Sequence, residues 1–311
     1  MTPPEDERRS RTDDDDAPEH ETADDRSYPE IDPATYYDSF GEDEWERLER
    51  SPKAKFEFEN TIAYLSEYLP EEGHVLDAGG AAGRYAVWLA ERGYDVTLTD
   101  VSETQLDIAR EKVAEHGVGD RVRVEYGDLR DLPFADGTFD VVLALGGPLS
   151  HVIDQEEREA AVRELHRVAT PGAPAFVSVM GLIAVVERLL QVAPEFEQGI
   201  RQLPGLLESG TYSADLLEKA DVDDPTFVET HFFRADELRD LLASNGFSVA
   251  TMAGLEGVAS NFEEPLDEAS AESLETIREV VLDPEFREDP TVVDASNHIL
   301  AVGHAGGTTR D

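Results

Sequence analysis

The 311-residue chain contains no cysteine, which excludes disulfides, thiolate nucleophiles, Cys-ligated zinc and iron–sulfur clusters. It also lacks any run of 18 apolar residues, so no membrane-spanning helix is predicted. The opening MTPPEDERRSRTDDDD has no apolar segment of the secretory type, and the expectation is a soluble, cytoplasmic protein. The eight histidines show no H-E-x-x-H or other short ligand spacing, so no metal is predicted. Lysine is scarce as well: Lys53, Lys55, Lys112 and Lys219 are the only lysines among 26 basic residues.

Acid is abundant. Against those 26 bases stand 70 Asp and Glu, a formal charge of −44. Nucleic acid is disfavoured as a partner, because each phosphate contact needs local positive potential. The excess is spread along the chain, which is the composition of a salt-adapted, halophile-type protein. In molar salt the Debye length falls to about 3 Å, and dispersed carboxylates then repel one another little while holding water. With 40% hydrophobic residues the chain still buries a substantial core.

Residues 1–30 carry 12 acidic and 4 basic residues and few large apolar ones, predicting a disordered acidic tail. Residues 306–311 are expected to be a flexible end. From Tyr36 to Leu69, apolar residues at intervals near three and four predict helices leading into the main domain, 31–305. Thereafter strand and helix signals alternate: HVLDAGG, RYAVWLAERG, YDVTLTD, a helix opened by Ser102 and Gln105, RVRVEYGD, FDVVLAL, a helix capped by Asp154 and Glu157, and PAFVSVM. Such alternation predicts an α/β fold, a doubly wound parallel sheet with helices on both faces. Residues 182–230 interrupt the rhythm and are a candidate lid near the carboxyl edge of the sheet. GFSVATMAG and NHILAVGHA are read as the last two strands, with an acidic helical segment near 267–281 between them.

The stretch VLDAGGAAGRY (75–85) places Gly79, Gly80 and Gly83 after a strand, where the missing Cβ atoms let a ligand approach the backbone. The spacing is neither G-x-G-x-x-G nor a P-loop. Asp77, just before the turn, opposes a pyrophosphate but accepts from an ammonium, directly or through water. Asp100 ends the second strand, where a carboxylate accepts from ribose hydroxyls. Asp128, after the third strand, is placed to accept from an exocyclic amine, with Leu129 as an apolar wall. Three acids around a glycine turn suit an adenosyl amino acid.

On these stretches, together with VTLTD, YGDLRDLPFADGTFDVV, ELHRVATPGA and RADELRDLLASNGF, the chain from Tyr36 to His304 resembles the class I S-adenosylmethionine-dependent methyltransferases. The resemblance implies a Rossmann-like seven-stranded sheet and S-adenosylmethionine as cofactor. It implies that Asp77, Gly79, Ala81 and Gly83 contact its methionyl part, Asp100 its ribose, and Asp128 with Leu129 its adenine, with Leu145 and Gly146 beside the sulfonium. The family usually has glycine where this chain has Ala81. The turn GGPLSHV lacks the [DN]-PP-[YFW] motif of enzymes that methylate nucleic-acid or glutamine nitrogens, which points to a small-molecule acceptor. His151 in that turn is the candidate general base, although a histidine at a turn is as readily a structural hydrogen-bonding group. Arg47 is a candidate partner for the cofactor carboxylate, Tyr36 and Tyr37 are placed to close over it, and Tyr212 and His231 are candidate lid contributions. Two other readings stay open: a nicotinamide-dependent oxidoreductase, and a non-catalytic cofactor-binding sensor or partner protein.

Overall fold

The computed structural model describes residues 33–191, 197–220 and 228–306. The expected tail at 1–30 and residues 307–311 of the expected end at 306–311 lie outside these residues, while Gly306 N donates to Gly246 O (2.8 Å). Short helices α1 (Pro33–Asp38) and α2 (Asp43–Glu46) and a 3-10 turn (Arg47–Glu49) precede the long α3 (Pro52–Tyr68). The main domain then runs β1 (His74–Ala78), α4 (Arg84–Ala90), β2 (Asp95–Asp100), α5 (Glu103–Glu115), β3 (Val122–Tyr126), β4 (Val141–Ala144), α6 (Gln155–Val168) and β5 (Pro174–Met180). The interruption after β5 consists of α7 (Leu182–Gln191), α8 (Leu203–Ser209), β6 (Thr211–Tyr212), α9 (Ala214–Ala220) and β7 (Thr230–His231). The chain closes with α10 (Ala235–Ser244), β8 (Phe247–Gly254), α11 (Glu263–Asp267), α12 (Ala271–Val281), α13 (Pro284–Arg287), α14 (Pro290–Asp294) and β9 (His298–Ala305).

Seven strands form one sheet in the order β3-β2-β1-β4-β5-β9-β8. β1 to β5 are mutually parallel, and β9 runs antiparallel to both β5 and β8. Sequence alternation assigns the faces. Leu76 and Ala78 of β1, Val142 and Ala144 of β4, and Val177 of β5 join the core that includes Leu165 of α6 and Leu238 of α10. Their neighbours Val75, Leu143 and Phe176 face the other way, into the core with Tyr85, Leu89, Leu106 and Leu65. Asp77 shares the parity of Val75, so its carboxyl is carried onto that second, apolar face. The helix starts read from the sequence hold: Ser102 Oγ accepts from Gln105 N at 3.1 Å and Asp154 Oδ1 from Glu157 N at 3.0 Å, caps each worth about 1 kcal/mol.

β4 is shorter than FDVVLAL suggests, because Gly146 and Gly147 take positive φ (81° and 91°) and turn the chain out of the sheet. The post-β5 interruption is pinned at its neck, where Phe233 N donates to Met180 O (2.8 Å) and Leu182 N to Phe233 O (2.9 Å). Between β8 and β9 the acidic helix near 267–281 appears as α12, flanked by α11, α13 and α14. Asp283 and Asp289 cap α13 and α14, each followed by a proline.

At the β1 turn Ala81 adopts φ 44°, the left-handed region, where an L side chain is strained by roughly 1–2 kcal/mol. Replacement by glycine, Ala81→Gly, is expected to stabilise the protein by about 1 kcal/mol in equilibrium denaturation; a loss of stability of that size contradicts the strain at this position.

Candidate functional site

β1 leads through α4 to β2 on one side, while β4 leads to β5 on the other. The strand order therefore reverses between β1 and β4, and the crevice at their carboxyl ends is where open α/β sheets bind ligands. A cavity of about 330 Å³ lies there, within the range of small-ligand sites, roughly 300–1,000 Å³. One wall is the turn Gly79 to Ala82 with Asp100 and Val101; a second is Tyr126 to Arg130; a third is Leu145, Gly146, Pro148 and His151. Tyr37, Glu44, Arg47 and Leu48 from the amino-terminal helices complete it. Gln105 Nε2 docks this segment by donating to Tyr37 O (2.9 Å) and Gly41 O (3.2 Å).

The turn spends its amides inward. Gly79 N and Gly80 N both donate to Thr99 O (2.7 and 3.1 Å), Ala81 N to Asp100 Oδ2 (2.9 Å) and Gly83 N to Gly80 O (2.9 Å). Gly79 is glycine for a second reason beyond φ 72°: a Cβ there would stand 2.6 Å from Pro148 Cβ, across the crevice. Gly80 leaves room for Asp77, whose Oδ2 lies 2.7 Å from where a Cβ would be. Gly83 lies off the cavity wall and lets α4 pack on Leu98 and Ala109.

Asp77 also lies behind the turn, off the wall. It is 1% exposed and neither carboxylate oxygen has a hydrogen-bond partner in the structure. Burial, then the charge of Asp100, pushes its pKa up to about 7, with only the Ala86 amide opposing. Asp100 is on the wall and almost buried; its Oδ1 accepts from Ser102 N at 2.9 Å, matching the Ala81 bond to Oδ2. Burial raises its pKa and these amides oppose the rise. Among the described residues no cation pairs with it.

The cations of the cavity are all engaged. Arg47 grips Glu57 with both terminal nitrogens (2.7 and 3.1 Å) and Glu44 through Nε (3.0 Å). Arg84 pairs with Glu49 and stacks over Trp45 at 4.8 Å. Arg130 binds Asp128 (2.7 Å) and Glu157 (2.6 Å). Asp128 and Leu129 are therefore on the wall as expected, but the Asp128 carboxylate already has a partner, a hold that its position in the sequence did not reveal.

His151 is on the wall, with Nδ1 3.2 Å from Glu229 O and Nε2 3.1 Å from Tyr37 Oη. A carbonyl can only accept, so Nδ1 carries the proton and Nε2 accepts from the tyrosine. Burial lowers the His151 pKa against the pull of the Glu229 carbonyl, which keeps the ring neutral near pH 7. His231 is elsewhere, buried between Thr211 Oγ1 (2.9 Å) and Glu237 (2.6 Å), and Tyr212 pairs with Thr230 in the small β6–β7 ladder; neither lines the cavity. Tyr126, 56% exposed at the end of β3, and Val101, next to Asp100, are wall residues the sequence reading passed over. Their place at strand carboxyl ends was the available signal.

Residues 75–172 match the family model described as a methyltransferase domain. Methyltransferase GfsG of Streptomyces halstedii is 37% identical over 166 residues, covering 50% of this chain and 57% of that protein. The cypemycin N-terminal methyltransferase of a Streptomyces species is 36% identical over 117 residues, 37% of this chain and 46% of that one. The chain thus spans about half the length of these relatives. Among solved structures, a SAM-dependent methyltransferase from Methanosarcina mazei superposes with TM-score 0.54 at 19% identity, covering 78% of this chain and 97% of the other. One from Thermotoga maritima gives 0.51 at 18%, covering 87% and 98%. The structural likenesses show the shared fold.

Asp77 makes a signed prediction. Its folded pKa lies above the unfolded value, so the native state binds more protons between about pH 4 and 7 and stability falls as pH rises through that window. Asp77→Asn should match wild type at pH 4 and exceed its apo stability at pH 8 by about 2–4 kcal/mol. Equal pH dependence of the two proteins in denaturant titrations contradicts the buried, unpaired carboxyl.

Proposed function

We propose that the protein transfers a methyl group from S-adenosylmethionine to a small-molecule acceptor. One observation carries the reading: the turn uses the amides of Gly79, Gly80, Ala81 and Gly83 internally and presents a carboxylate, Asp100, while every cation on the cavity wall is tied to an acid. That is the reverse of a phosphate cradle, where free amides at a helix start face the ligand, and it weighs against a nicotinamide dinucleotide. The orphaned Asp77 carboxyl behind Gly80 likewise fits a ligand that brings an ammonium, because a positive charge nearby offsets the cost of ionising a buried acid.

When bound, S-adenosylmethionine supplies a methyl group already activated on a sulfonium, so the protein's work is orientation and exclusion of water. In this reading Asp100 accepts from the ribose hydroxyls, and Asp77, acting through the Gly79, Gly80 and Ala81 turn, favours the ammonium. Asp128 and Leu129 hold the adenine beside Tyr126. Arg47 keeps N–H donors in hand beyond those given to Glu57 and Glu44, and its Nη2 lies beside Gly146, so it suits the cofactor carboxylate. His151 holds a neutral ring with Nε2 available once Tyr37 yields. The dispersed charge of −44 belongs in this proposal to a protein adapted to molar salt, and far-UV CD should show loss of structure when salt is removed.

Calorimetry in molar KCl tests the cofactor. S-adenosylhomocysteine should give a saturable heat, NAD none, and Asp100→Asn should weaken the former at least about tenfold, some 1.4 kcal/mol. Binding of NAD in its place rejects the reading. For the base, His151→Ala should lower turnover about 10²-fold with S-adenosylhomocysteine affinity unchanged; unchanged turnover removes His151 from the reaction.

A further inference from the structure

Beyond Arg47 lies a second cavity, of about 930 Å³. Its walls come from the start of α3, from α7, from the segment after β8 and from the start of β9, all outside the matched stretch 75–172. Arg47 belongs to both cavities. On one side its Nη2 would stand 3.4 Å from a Cβ at Gly146; on the other the guanidinium holds Glu57. Contacts continue from there: Glu57 Oε2 is 3.6 Å from His298 Nδ1, which is 2.5 Å from Glu256 Oε1. Ser296 Oγ (3.0 Å) and the His298 amide (2.9 Å) fix the other Glu256 oxygen.

Glu57, Glu256 and His298 bring ligand atoms within 4.8 Å of one another, close enough to consider a metal. Those atoms are already satisfied by protons, however, from Arg47, from Ser296 and from the imidazole itself. Burial works against the His298 imidazolium, but the charges of Glu57 and Glu256 outweigh it and raise its pKa. With Nδ1–H given to Glu256, Nε2–H is the donor left on a residue that lines the cavity, and no described residue accepts from it. Arg188 lines the same cavity from α7, exposed and without an ion pair to a described residue. Basic residues make up four of the 17 lining positions, beside five acids. Of the lining acids, Glu57, Glu256 and Glu263 are paired, with Arg47, His298 and Lys53 respectively, while Glu264 and Asp267 are exposed at α11 without an ion pair to a described residue.

We propose that this second cavity is the acceptor site and that it takes a small molecule bearing a carboxylate, held by Arg188 and by His298, with its methyl-accepting end toward Arg47 and Gly146. The inference rests on the first cavity being the S-adenosylmethionine site. Glu256 is then a positioning residue, fixing the His298 ring so that Nε2–H meets the carboxylate.

The test uses the full chain in molar KCl with methyl-labelled S-adenosylmethionine and a low-molecular-mass cell extract separated beforehand on an anion exchanger. Label should enter the material derived from the retained fraction. His298→Gln and Arg188→Ala should each lower that transfer at least about tenfold while calorimetry shows wild-type affinity for S-adenosylhomocysteine. Arg188→Ala alters an exposed side chain and carries the test should His298→Gln not fold. Transfer confined to the unretained fraction, or variants that transfer at the wild-type rate, overturns the inference and leaves the cofactor reading intact. Transfer abolished by a chelator and restored by magnesium also overturns it, in favour of a metal on Glu57, Glu256 and His298. No S-adenosylhomocysteine heat in the wild type defeats the cofactor reading and this inference together, whereas that heat with no label in any fraction overturns this inference alone.

Discussion

Two carboxyl groups taken out of water at the ends of adjacent strands set the terms for the rest of the molecule. Removing a carboxylate from solvent costs several kcal/mol unless hydrogen bonds or a positive charge offset it. Asp100 meets that cost with the Ala81 and Ser102 amides, which fixes the turn after β1 against the start of α5. Asp77 has only the Ala86 amide to oppose its burial, and its pKa rises to about 7. The turn that separates them is consequently narrow, and Gly79, Gly80 and Gly83 are each dictated by what lies against them: Pro148, the Asp77 carboxyl, and Leu98 with Ala109.

In the proposed reading the chain divides into a cofactor half with fixed requirements and an acceptor half without them. The family match ends at residue 172, and everything that lines the second cavity lies on either side of it. Arg47, delivered by the amino-terminal segment, is the wall common to both, and its hold on Glu44 and Glu57 ties that segment to α3.

Much of the cofactor half was legible because its signals are local. Strand parity, the caps at Ser102 and Asp154 and the glycine turn each depend on residues a few positions apart, and the alternation they define gives the α/β class and the parallel strands, though not the antiparallel β9. Depth was not legible: nothing in VLDAGGAAGRY distinguishes Asp77 and Gly83, behind the turn, from Gly79 and Ala81 on the wall. Nor did the sequence show that Arg130 would turn back on Asp128, or that His231 would be consumed by Thr211 and Glu237. α13 and α14 escaped because helices of four and five residues are too short to show a period, although Asp-Pro at 283–284 and 289–290 marks both starts. The Glu57, His298 and Glu256 network joins three distant segments, and no spacing rule reaches across them.

The central claim is that a buried, proton-bearing acid waits behind the turn for a positively charged ligand. Proton linkage measures it directly: S-adenosylhomocysteine titrated at pH 6 in two buffers of different ionisation enthalpy. The ligand's α-amino group, with pKa near 8, is already charged there, so ionisation of Asp77 should appear as net release of up to about one proton per site. Asp77→Asn should abolish the release. Binding with no proton released, or the same release from the variant, contradicts the account.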